Sequence, residues 1–393
     1  MERVPRSLSL VLLTALLLGL GGCNRANNVI LFIGDGTGLA QMAAARIAAV
    51  GPDGRLAIDG LEHLGLVTTH SADGLTTDSA AGATAFATGH KTKNGWLSVA
   101  PDGRPLKTLV EYARDAGLGT GLVTTTGITH ATPAAFAAHV ADRGAQSEIA
   151  RQMVAIGADL MLGGGRAYWI PKGQEGSTRE DSLDVLAEAR TAGYRVVTDR
   201  AGLLALEPGT IGRVLGLFAL SHLTYTLDAD GVTEPSLAEM TGFAIDRLKR
   251  TPKGFFLMVE GGRIDHACHG NDGTRAVWEA LALDQAIARA AAFARADGRT
   301  LVLFVADHET GGMTVANGYY DGFPQISRAN GLPDRAAALG DSLKLGWTTT
   351  GHTGIPVIAA AMGPGSERVK GVLDNTELFD IALQGMGLKE VQP

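Results

Sequence analysis

The chain has 393 residues, 45% hydrophobic and 19% charged, with a formal net charge of −7. A mildly acidic chain without a basic tract is a poor binder of nucleic acid, so no such partner is expected. Only two cysteines, Cys23 and Cys268, are present, which excludes a disulfide scaffold and leaves stability to a large apolar core.

The N-terminus carries Arg3 and Arg6, an apolar run through Leu20, and small residues before Cys23. That pattern reads as an export signal over residues 1–22, and its apolar run is shorter than the ~20 residues a spanning helix needs. Leu20-Gly21-Gly22-Cys23 resembles the lipobox of bacterial lipoproteins. It implies a lipid anchor on Cys23 and an exported, periplasmic location; the alternative is an ordinary secretory signal cut nearby. Residues 28–390 read as a single α/β domain.

Strand 28–33 runs straight into Gly34-Asp35-Gly36-Thr37-Gly38, which places the Asp35 carboxylate between glycines at a strand end before a helix over 39–50. A dinucleotide fingerprint is excluded there because position 39 is Leu39. After strand 64–69 come Thr76 to Gly89, small residues that form a closely packing helix with Ser79 at its start, where backbone N–H groups favour negative charge. A serine in that position is also an ordinary cap. No Gly-x-Ser-x-Gly elbow occurs, so a Ser-His-Asp hydrolase lacks support.

A helix over 106–116 and a strand over 119–125 precede His130-Ala131-Thr132-Pro133, a helix start, and Arg143 beyond it. Strands 159–162, 213–218, 254–259, 300–306 and 355–361 alternate with helices 147–156, 182–192, 236–250, 275–296 and 376–383. Such alternation predicts a mainly parallel central sheet with helices on both faces, a three-layer α/β/α fold. The segment 311–351 breaks the alternation and reads as a loop-rich excursion.

Two stretches crowd carboxylates and imidazoles. In Glu260-Gly261-Gly262-Arg263-Ile264-Asp265-His266-Ala267-Cys268-His269, Asp265 and His269 stand four apart and share a helical face that can grip one ion. Asp307 and His308 follow the apolar run 300–305. Neighbours on a strand point to opposite faces, so both reach one ion only if the strand ends and the backbone turns at Glu309-Thr310-Gly311-Gly312. His352 lies in a tight loop before the last strand.

In this order, these motifs resemble the alkaline phosphatase family from about Asn28 to the last strand. The resemblance implies that Ser79 in Asp78-Ser79-Ala80-Ala81 is a nucleophile that takes up phosphate and that Arg143 clamps the phosphate. It implies two Zn2+ ions, one on Asp265, His269 and His352, the other on Asp35, Asp307, His308 and the Ser79 oxygen. A third ion, usually Mg2+, falls to Asp35, Thr132 and Glu260. His130 and His266 stand beside that third site, where one bacterial branch has aspartate and lysine and animal members have histidine, so Mg2+ and a softer metal both stay open there.

The activity implied is hydrolysis of small-molecule phosphate monoesters of broad specificity through a phosphoserine, in a family that is commonly homodimeric. A phosphodiesterase or sulfatase of the same superfamily, or a lipid-anchored binder without turnover, is the alternative. Arg143 reading two terminal oxygens favours a monoesterase, and the Cys/Ser-x-Pro-x-Arg context of sulfatases is absent around Ser79.

Overall fold

The computed structural model describes residues 26–207, 209, 212–316 and 344–390. The leader, Cys23 and residues 317–343 of the expected excursion lie outside the described residues. Strands in chain order are β1 (Asn28–Ile33), β2 (His63–Thr68), β3 (Gly119–Gly127), β4 (Leu160–Gly164), β5 (Tyr194–Val197), β6 (Arg213–Leu217), β7 (Phe255–Glu260) and β8 (Thr300–Val305). The short pieces β9 (Glu309–Thr310), β10 (Thr314–Ala316), β11 (Lys344–Gly346) and β12 (His352–Thr353) follow, then β13 (Val357–Met362) and β14 (Gly371–Asp374).

Ten strands form one sheet in the order β14-β2-β13-β8-β1-β7-β3-β4-β6-β5. Only β13 runs against its two neighbours; every other pairing in this sheet is parallel. Parallel strands need crossover helices, which cover both faces and bury the central strands throughout. Accordingly Val29, Leu31 and Ile33 of β1 join the core on one face while Ile30 and Phe32 join the core on the other.

The helices are α1 (Leu39–Val50), α2 (Ser79–Thr88), α3 (Leu109–Ala116), α4 (Ala131–Ala135), α5 (Gln146–Ile156), α6 (Val185–Thr191), α7 (Arg200–Leu204), α8 (Leu237–Leu248), α9 (Arg263–His269), α10 (Gly273–Asp297) and α11 (Glu377–Gly385). One face is packed by α2, α3, α5 and α11, the other by α1, α8 and α10. None of the described helices is long and apolar enough to cross a membrane.

Start signals explain where the expected helices shift. α3 begins at Leu109 rather than 106 because Thr108 and Glu111 form a capping box, and α6 begins at Val185 because the Asp184 side chain caps it. Register fixes the height of the strand ends. Ile33 lies opposite both Glu260 and Val305, so the loops leaving β1, β7 and β8 emerge side by side at one carboxyl edge. β13 is antiparallel, so the loop preceding it, with His352, reaches that same edge.

Candidate active site

Helix α2 places Ser79 in the centre of this edge. Its N-cap is Asp78, whose Oδ1 accepts from the Ala81 N–H at 3.0 Å, so Ser79 is left free of the capping role. All ten residues of α2 are buried, and a Cβ on Gly82 would stand 3.0 Å from the Asp307 Cβ, so small residues let the helix approach the metal-ligand loop. Ser79 Oγ lies 3.5 Å from Asp35 Oδ1 and 3.4 Å from His308 Nε2.

Asp265, His269 and His352 converge as a first cluster. His269 Nε2 stands 3.2 Å from Asp265 Oδ2, and His352 Nε2 stands 3.6 Å from Asp265 Oδ1 and 3.1 Å from His269 Nε2. Their Nδ1–H groups donate to backbone carbonyls, His269 to Thr350 at 2.5 Å and His352 to Thr77 at 2.9 Å. A carbonyl only accepts, so each ring in its neutral form turns its Nε2 lone pair toward the other, an arrangement that calls for a cation or a proton between them. The Asp265 hydrogen bond pushes His269 up to about 9, so a metal entering here displaces a proton. Burial alone would raise Asp265, but the His269 hydrogen bond and the fields of His308, His352 and His269 outweigh it and hold it below the usual carboxylate range.

Asp35, Asp307 and His308, all fully buried, form a second cluster. His308 Nε2 is 3.6 Å from Asp35 Oδ1 and 3.4 Å from Asp307 Oδ2. Ligands about 2.0–2.2 Å from a tetrahedral zinc stand roughly 3.3–3.6 Å apart, so both clusters, with Ser79 Oγ included in the second, have tetrahedral edges close to that size. Burial first, then the neighbouring carboxylates, push Asp35 and Asp307 well above the usual range. Two mutually repelling buried acids are stabilised together only by a positive charge or a proton.

A third group, Asp35, His130 and Glu260, lies behind the second. Here Asp35 Oδ2, Glu260 Oε1, Thr132 Oγ1 and His130 Nδ1 are buried without a hydrogen-bond partner, as is Asp307 Oδ2 of the second cluster. Orphaned polar atoms are rare in native interiors, and three oxygens among them fit a hard cation. The other Glu260 oxygen accepts from Thr124 and Thr126.

Arg143 completes the edge. Its guanidinium donates to Asp78 Oδ2 at 2.9 Å and to His130 Nε2 at 3.2 Å. An arginine can only donate, so His130 accepts through Nε2 and carries its proton on Nδ1; a protonated nitrogen does not ligate a metal. His130 therefore joins the third group as a donor rather than as a ligand. His266 lies outside all three clusters, its ring 5.4 Å from His130 and 4.5 Å from His222.

Every site residue expected from sequence lies at this one edge. Four others were given no role at the site by the sequence: Asp78, which holds Arg143; His222, whose Nδ1 accepts from Gly127 N–H at 3.1 Å; and Gln41 and Glu309, hydrogen-bonded to each other at 2.9 Å. Asp78 alone had a readable signal, as the residue before a helix start.

The sequence model of alkaline phosphatase matches residues 26–340. The chain belongs to the alkaline phosphatase family. It is 40% identical to a streptomycin-6-phosphate phosphatase of Streptomyces griseus over 93% of this chain and 91% of that protein. The structure of alkaline phosphatase from the Antarctic bacterium TAB5 superposes with a TM-score of 0.79 at 33% identity, covering 93% of this chain and 99% of that one. Thermus thermophilus alkaline phosphatase gives 0.82 at 31%, covering 94% and 93%. A variant of the TAB5 enzyme with aspartate in place of a histidine is described with Mg bound in its M3 site. As a member of this family, the protein is a metal-binding phosphatase that hydrolyses phosphate monoesters.

Proposed function

We propose that Ser79 is the nucleophile of this monoesterase, working through a phosphoserine between two Zn2+ sites with Mg2+ in the third. The observation that carries the reading is the place of Ser79 Oγ, within 3.5 Å of the second cluster and at the N-terminus of a ten-residue helix. The proposed zinc ligands are Asp265, His269 and His352 on one side and Asp35, Asp307 and His308 on the other. Imidazoles suit zinc, whereas the Asp35, Thr132 and Glu260 oxygens suit the harder Mg2+, as does the His130 tautomer that Arg143 imposes.

When bound, these ions supply Lewis-acid stabilisation of charge on the phosphoryl and leaving oxygens and ease deprotonation of the hydroxyl. The chain does the rest. Arg143 holds two non-bridging oxygens of the dianion, kept beside Ser79 by its Asp78 contact. The first N–H groups of α2, at Ser79 and Ala80, favour the same charge. Ser79 Oγ bonds to phosphorus as the ester P–O bond breaks and the alcohol leaves; water then cleaves the phosphoserine and inorganic phosphate departs. Every residue in this scheme addresses phosphate, so the leaving group is little constrained and specificity is broad.

Ser79→Ala tests the scheme. Bound metal and phosphate affinity are expected to persist while turnover falls by orders of magnitude, and acid quenching of the unmodified enzyme should trap phosphate on Ser79. Undiminished turnover in the variant would end the covalent route.

The proposal extends to export with a lipid on Cys23. Asn27 N–H donates to the Arg299 carbonyl at the amino ends of the strands, opposite the site, so an anchor four residues earlier leaves the cleft facing away from the bilayer. Absence of lipid labelling in the unmodified protein would reject this. A homodimer is proposed from the family likeness, and a monomeric sedimentation coefficient would reject it.

A further inference from the structure

Glu309 belongs to none of the three clusters, yet it is 5% exposed and directly follows the Asp307-His308 pair in the chain. Its Oε1 accepts from Gln41 Nε2 at 2.9 Å and from Met313 N–H at 3.0 Å. Its Oε2 accepts from Gly312 N–H at 3.1 Å and from Thr353 Oγ1 at 2.5 Å. Four donors thus meet the four lone-pair positions of an ionised carboxylate.

Those donors come from three separate segments. Gln41 sits in the first turn of α1 and its Oε1 accepts from Gly38 N–H at 3.0 Å, which fixes the loop that carries Asp35. Gly312 and Met313 close the turn after Asp307 and His308. Thr353 follows His352 on β12, a strand of two residues with exposed positions on both sides, 348–350 and 354–356. β12 is held by its pairing with β9, by the His352 contact to Thr77, and by the Thr353 hydroxyl on Glu309. Space for the carboxylate arm is also built in, because a Cβ on Gly38 would come within 2.4 Å of the Glu309 Cγ.

We infer that Glu309 is a positioning residue for the Asp265, His269 and His352 cation site, fixing β12 and through it the His352 imidazole. The inference rests on reading that cluster as a zinc site. Glutamine is no substitute for this role. Turned one way, an amide sets its NH2 against the Gln41 NH2 and the Met313 N–H; turned the other, it sets it against the Gly312 N–H and forces the Thr353 hydroxyl to reverse and accept, so at least one donor–donor clash enters either way. Of the ligands in the two zinc clusters, His352 stands on the shortest supported strand, so the damage should fall on its ion first. Residues that orient metal ligands typically change affinity 10–100-fold when altered.

The test compares zinc retention in the zinc-loaded full-length enzyme. Unmodified protein, Glu309→Gln, Thr353→Val, His352→Ala and Asp307→Asn are dialysed against chelators of graded strength, and zinc per chain is counted by mass spectrometry. Glu309→Gln is expected to release one zinc at a 10–100-fold lower chelating strength while keeping the second, following His352→Ala. Added zinc should restore kcat with KM unchanged. Thr353→Val removes only the β12 donor and should shift release in the same direction by less, and it decides the matter should Glu309→Gln not fold. Retention equal to the unmodified enzyme, loss of both ions together, or loss of the other ion as expected for Asp307→Asn, overturns the inference. If the unmodified chain holds no zinc, this inference and the zinc reading fail together.

Discussion

Asp78 performs two separable tasks, and its substitution by asparagine and by alanine should pull them apart. Oδ1 caps α2 through Ala81 N–H, while Oδ2 accepts from Gly95 N–H at 3.0 Å and from Arg143 at 2.9 Å. Asparagine caps about as well as aspartate, so Asp78→Asn keeps the helix start but turns an NH2 toward Gly95 and Arg143. Asp78→Ala loses the cap as well, at a cost of about 1 kcal/mol more. The Arg143 and Asp78 side chains are 27% and 22% exposed, so their ion pair itself adds little to stability.

What both variants lose is the ordering of Arg143. Immobilising such a side chain costs about 0.5–1.5 kcal/mol, so phosphate affinity should fall about 2–13-fold, equally in the two variants. Product inhibition by inorganic phosphate during aryl phosphate hydrolysis gives Ki, and thermal unfolding gives a Tm expected to be about 1–3 °C lower for alanine than for asparagine. An unchanged Ki in both would refute the claim that Asp78 readies Arg143 for phosphate. Equal Tm values would refute the cap.

Stability of the metal-stripped protein should decline as pH rises from about 6.5 to 9, by at least about 1.4 kcal/mol for each group displaced by one pKa unit. Burial and mutual repulsion raise Asp35 and Asp307 in the fold, and the Asp265 contact raises His269 to about 9. Groups raised on folding stabilise it below their unfolded values, and that contribution is lost as pH climbs through the folded ones. Zinc replaces those protons, so the loaded enzyme's Tm should change little over the same range; a stripped protein that gains Tm with pH contradicts the assignment. Gly36→Ala should abolish metal retention at the Asp265 cluster, because Gly36 has φ +70° and its new Cβ would stand 2.8 Å from the Asp265 Cα. Full zinc content and activity in that variant would show that the close approach is dispensable.

The central strands were legible because they are buried on both faces and therefore carry apolar runs, as in 29–33 of β1. β5 and β14 escaped notice for the converse reason. Both are four-residue edge strands in which polar residues or glycine, such as Arg195 in β5 and Gly371 and Asp374 in β14, cut the apolar run short. The three stretches around Ser79, Asp265 and Asp307 were readable as chemistry, and the turn demanded by Asp307 and His308 exists, since β8 ends at Val305 and β9 begins at Glu309.

Local sequence determined which segments form strands and helices, where caps begin them, and which side chains can bind metal or phosphate. It could not determine that His352 would meet His269 at 3.1 Å across 83 positions, because that depends on β13 inserting antiparallel between β8 and β2. Nor could it assign Glu309, Asp78 and the tautomer of His130, since a hydrogen bond is decided by the partner that folding brings near. Residue type sets what a group can donate or accept; only the packed sheet and its register set to whom.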